Sequence, residues 1–229
     1  MSETAYIAES GFKHGGFSSV EASLRLGFIR KVYSILAVQL FITASISWMM
    51  MQNVTATVNF LSNNIWVLWF SLIGAFVVLI ATMCVKKVFP INLILLGVFT
   101  VLESVVIGLI CALSDATAVT LAFFATMGIF VSLTLYAWTT KKDYTVYHGT
   151  AISLLFALFF VGIFGFWFNV PLLQSVYNFA GVAIFSLFVV IDTQMIASRL
   201  DYDDYVEGAI QLYLDILNLF LHLLRIFSK

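Results

Sequence analysis

Charge is what this chain most lacks. Asp, Glu, Lys and Arg make up only 10% of its 229 residues, against 62% hydrophobic and 16% aromatic, and the mean hydropathy is +1.05. So few polar side chains cannot cover a soluble globule of this length, which leaves an integral membrane protein. The few basic residues, set in a net charge of −1, also exclude a nucleic-acid footprint. Period-2 alternation is absent, which excludes a β-barrel. Cys84 and Cys111 lie in apolar segments without a CxxC or histidine cluster, so both are expected as inert buried thiols, and no cofactor is expected. No apolar stretch follows the initiator, so the first apolar segment is expected to act as an uncleaved anchor.

What is present is a series of seven apolar stretches, at 32–51, 65–85, 91–113, 117–138, 149–168, 175–198 and 207–227. Each is long enough for a hydrocarbon core of ~30 Å. The short breaks between them predict an all-α, polytopic membrane bundle of antiparallel neighbours. Residues 1–31 form a cytosolic arm and residues 32–229 the transmembrane domain. The last segment is unusually polar and carries Arg225 near its end, so it is open between spanning the bilayer and entering and returning.

Basic residues alternate from side to side. Lys13, Arg25, Arg30 and Lys31 precede the first stretch, Lys86 and Lys87 follow the second, Lys141 and Lys142 the fourth, and Arg199 the sixth. The positive-inside rule places the N-terminus and these loops in the cytosol. Asn53-Val54-Thr55 is a formal glycosylation sequon on the other side, too close to the first span to be readily modified.

Two carboxylates, Asp192 in the sixth stretch and Asp215 in the seventh, are costly inside a bilayer and mark a site. Counted from the loop between their helices, both lie roughly 10 to 14 Å deep at 1.5 Å per residue. Adjacent antiparallel helices can bring them into one layer, where repulsion and desolvation favour a shared proton. The alternative is two carboxylates separately satisfied by Lys86, His222 or backbone groups. Gln211, Asp215, Asn218, His222 and Arg225 follow a 4, 3, 4, 3 spacing that keeps them on one helical stripe. That stripe lines a wet cavity or supplies interhelical hydrogen bonds. Glu103, near the middle of the third stretch, lines the same cavity or is protonated and hydrogen-bonded. Lys86 and Lys87 snorkel to the headgroups, or one reaches a carboxylate beneath. The loop DYDDYVEG at 201–208 lacks EF-hand spacing, so Asp203 or Asp204 is expected to cap a helix.

The runs YLDILNLFLHLLR at 213–225 and VIDTQMI at 190–196 resemble the Bax inhibitor family. FIRKVYSILAVQLF at 28–41, VFPINLILLGVFTVLES at 88–104 and TTKKDY at 139–144 resemble its Golgi anti-apoptotic, Lifeguard-like branch. The resemblance runs in order from about Leu24 to the end. It implies a Bax-inhibitor-like helical bundle that leaks Ca²⁺ across an internal membrane, Golgi or endoplasmic reticulum with a plasma-membrane pool open, and protects cells from apoptosis. It also implies a pH-sensitive gate at Asp192 and Asp215. From their own chemistry those carboxylates would hold the permeant Ca²⁺ weakly and transiently, and from their positions Glu103, Gln211, Asn218 and His222 are the candidates to line the cavity. The family's arginine partner of the first aspartate falls on Lys86, whose point charge makes a weaker latch than an arginine fork.

Two other functions fit such a chain. A non-conducting adaptor would act on cell death through membrane-protein partners, its oligomeric state open. An intramembrane aspartyl protease would need a glycine before the second aspartate and a PAL motif, and neither is present, so no enzyme activity is expected.

Overall fold

The computed structural model describes residues 3–168 and 171–228, with side chains for 20–165 and 173–228. Among the described residues eight α-helices follow one another: α1 (Glu3–Gln52), α2 (Val54–Asn63), α3 (Ile65–Cys84), α4 (Ile91–Ala112), α5 (Ala116–Thr139), α6 (His148–Phe168), α7 (Pro171–Ser198) and α8 (Tyr205–Phe227), with a 3-10 turn at Thr145–Tyr147 before α6. All but α2 contain a stretch long and apolar enough to cross a membrane, in agreement with the seven expected spans. The chain is a multi-pass membrane protein.

Sequence punctuation sets the breaks. Asn53 ends α1 and caps α2, its Oδ1 accepting from Ala56 N at 3.0 Å. The sequon asparagine thus holds a helix start, and the segment after it, expected as a loop, is a ten-residue helix. Asp115 caps α5 by accepting from the amides of Thr117 and Ala118.

The most buried helix is α8, packed against α7, α5 and α1 with Leu212, Tyr213 and Leu219 fully enclosed. It runs unbroken for 23 residues and contains no turn at which it could return. That enclosure explains how a helix with Gln, Asp, Asn and His on one face sits in a membrane protein, because its polar stripe meets other helices and not lipid. Small residues allow the contact. A methyl on Gly208 would lie 3.0 Å from the Ile196 side chain, and one on Gly181 would lie 2.4 Å from the His222 ring. These two close approaches of α7 and α8 bracket Asp192 and Asp215. On the other side of the bundle α1 and α4 meet at Gly108, where a Cβ would come within 3.3 Å of Ser47 Cα.

Candidate functional site: a buried aspartate pair beneath a basic strap

Asp192 of α7 and Asp215 of α8 occupy one layer, as their matched depths predict. They are 3% and 6% exposed, which removes both from solvent, and their side chains lie close enough to interact directly. An ionised carboxylate only accepts hydrogen bonds, so a direct bond between the two acids would need a proton on one of them. Among the described residues no hydroxyl, amide or cation reaches Oδ1 of Asp192 or Oδ2 of Asp215. The alternative in which Lys86 and His222 satisfy the two acids separately is not what the geometry shows.

Lys86 takes different partners. Its ammonium donates to Glu207 on the first turn of α8 and lies 3.2 Å from Asp204 Oδ1. The latch expected between Lys86 and Asp192 is therefore a latch between the α3–α4 connection and the start of α8. The reason is depth, because Lys86 lies beyond the end of α3, level with the loop and not with the layer below. The hydrogen bond to Glu207 raises the Lys86 pKa above the ordinary lysine value. Lys87 joins Asp204 at 3.3 Å and Asp201 at 3.4 Å, which raises its pKa too. Neither lysine simply snorkels, and Asp204, although it stands at the N-cap of α8, makes no side-chain capping bond.

Further straps hold the same loop. Arg25 donates to the Leu200 carbonyl at 2.7 Å and stacks on Tyr202, while Lys31 lies 3.2 Å from the centre of the Tyr205 ring. Asn92 donates to the Tyr205 hydroxyl at 3.0 Å. Arg199 pairs with Asp143 at 2.8 Å. The basic loops that alternate in sequence thus gather at one end, above the aspartates. Glu207 is close enough to Asp192 to repel its charge.

The other polar positions divide. Gln211 is half-buried one turn from Asp215, its Oε1 without a partner among the described residues. Asn218 and His222 line a cavity between α6, α7 and α8 that opens toward the opposite end, together with Arg225. Glu103 is half-buried on α4, and its electrostatic neighbour is Tyr213. Cys111 is buried as expected, whereas Cys84 lies on the surface of the bundle at the end of α3.

A second polar cluster went unanticipated. Gln39 donates to Thr100 Oγ1 at 3.0 Å, and the Thr43 hydroxyl lies 2.9 Å from that of Ser104 and 2.8 Å from that of Tyr213. These bonds tie α1 to α4 and α8 through the apolar interior. The signal was available in the spacing of Gln39, Thr43 and Ser47, four residues apart on one face of α1.

Comparison with known proteins agrees with this architecture. The family described as Inhibitor of apoptosis-promoting Bax1 matches residues 25–229. A BI1-like protein of Arabidopsis thaliana is 35% identical over 93% of this chain and 85% of its own length. Protein lifeguard 4 of Mus musculus is 31% identical over 95% and 91%. The Golgi anti-apoptotic protein of Vaccinia virus (strain Lister) is 29% identical over 95% and 92%.

Proposed function

The chain belongs to the Bax inhibitor family, and from that premise and the geometry of its aspartates we propose that it is a pH-sensitive calcium leak channel of an intracellular membrane, which lowers stored Ca²⁺ and inhibits apoptosis. The observation that supports the reading is the burial of Asp192 and Asp215 side by side, with no cation paired to either among the described residues, an arrangement that favours one shared proton. An acid pair that needs a proton to stay closed is a titratable joint between α7 and α8. Loss of that proton puts two like charges in a dry layer and pushes the helices apart. The freed oxygens are ligands that suit a hard cation, and a site with so few of them lets Ca²⁺ pass on.

The anti-apoptotic role is supported by the family's description and by the name of the viral relative, which also points to the Golgi, with the endoplasmic reticulum as the alternative that the sequence resemblance implies. The positive-inside rule puts the strapped end, and with it the N-terminus, in the cytosol. The test is Ca²⁺ flux into liposomes holding only the purified chain, from about pH 5 to 8. The expected result is a pH-dependent flux whose profile flattens in Asp192→Asn and in Asp215→Asn. Absence of flux from folded wild type would sink the channel and leave an adaptor that acts through membrane partners.

A further inference from the structure

The cavity at the end opposite the lysine straps has a chemistry the leak does not use. It measures about 690 Å³ and lies between the last turns of α6, the first of α7 and the last of α8. Among its described lining residues the one charge is positive. Arg225 is exposed on the last turn of α8 and has no carboxylate partner among the described residues. His222, one turn deeper, is only 6% exposed, and its Nδ1 lies 3.3 Å from Asn178 Oδ1, which leaves Nε2 unpaired among the described residues. Tyr177 packs against His222 with ring centroids 5.1 Å apart and lines the cavity as well. The outer wall, with Phe159, Ile163 and Leu173, is apolar.

A cation would meet Arg225 here and no acid, so this is a poor vestibule for Ca²⁺. An arginine at a helix C-terminus needs no ligand to account for it, since it complements the helix dipole. That role does not explain an imidazole and a phenol converging beside it in a cavity with an apolar side. We propose that this cavity binds the phosphate of an anionic phospholipid from the leaflet opposite the strapped end. Arg225 and the Tyr177 hydroxyl donate to the phosphate, His222 and Asn218 take the glycerol region, and an acyl chain runs along Phe159 and Ile163. A lipid is the occupant that matches both halves of the site, because a soluble anion would leave the apolar wall uncovered. The proposal is independent of whether the protein conducts.

The test is thermal unfolding of the full chain in neutral detergent, titrated with phosphatidylglycerol, phosphatidylcholine or inorganic phosphate. Phosphatidylglycerol is expected to raise the unfolding temperature saturably, with little effect of the other two. Arg225→Gln is expected to weaken that lipid about tenfold, and Tyr177→Phe to weaken it less, with both variants folded by gel filtration. Paired replacement of Lys141 and Lys142 by Gln, at the other end, is expected to leave it unchanged. Equal stabilisation by phosphatidylcholine would overturn the proposal, as would an effect that survives Arg225→Gln or one that inorganic phosphate reproduces.

Discussion

Lys86 closes on Glu207, two turns of α8 above the point where Asp215 meets Asp192. The part-exposed latch and the buried pair therefore act on the same helix at two depths, about 12 Å apart along its axis. The upper contact is an ion pair near solvent, and the lower one joins two buried acids.

The two levels should respond differently to pH. The Lys86 pKa is raised, first by its hydrogen bond to Glu207, so the contribution of this lysine is complete below the ordinary value of 10.5 and is lost only as pH climbs through the higher folded value. It is constant across the neutral range. Lys86→Met is therefore expected to change the size of the Ca²⁺ flux while preserving the shape of its pH profile, and a shifted profile would show that Lys86 sets the response. A double-mutant cycle with Glu207→Gln on unfolding should give a coupling of about 0.2 to 1 kcal/mol, as for a part-exposed pair.

The buried pair should carry the pH dependence of stability. In wild type the contact is lost when both acids ionise, so resistance to unfolding should fall as pH rises through the loss of the shared proton. In Asp215→Asn the amide can donate to the Asp192 carboxylate without that proton. It is expected to unfold at a temperature nearly independent of pH between about 5 and 8. If the variant retained the wild-type dependence, another group would be responsible.

Much of this was legible in the residues, for a definite reason. Spans declare themselves by length and hydropathy, and Asp192 and Asp215 stand out because ionisable groups are rare in such segments. Depth counting then brought the two together, since helices joined by a short loop share a register. Partner choice at the loop was not legible. Lys86 could reach downward or sideways, and only the folded position of Asp204 and Glu207 decided it. The Thr43 cluster was hidden because hydroxyls cost little in a hydropathy scan, and whether they find one another depends on which faces of α1, α4 and α8 meet.

That cluster gives a stability prediction. Thr43 accepts or donates at three contacts, with the Gln39 carbonyl, the Ser104 hydroxyl and the Tyr213 hydroxyl. Thr43→Val keeps the shape and removes the oxygen. The loss should be about 0.6 to 1.7 kcal/mol, the scale of hydrogen bonds between membrane helices, measured by unfolding in bicelles or mixed micelles. Tyr213→Phe should cost less than Thr43→Val, because Thr43 keeps its other two contacts. The opposite order would place the weight on Tyr213.

Gly181 offers the sharpest steric test. A methyl there would stand 2.4 Å from His222 Nε2 and 2.5 Å from Cδ2, so the ring has to move. It has little freedom to do so, being buried, stacked on Phe185 at 5.7 Å and set against Tyr177. Gly181→Ala is thus expected to destabilise the bundle by about 1 to 3 kcal/mol, although alanine is the better helix former. The clash has a specific remedy. Combined with His222→Ala, the same substitution should cost far less than the sum of the two single changes, because the shortened side chain vacates the space the new methyl enters. Additive costs would mean that α7 yields at Gly181 by shifting its backbone, and α7 would then be expected to carry Asp192 out of reach of Asp215 in the single variant.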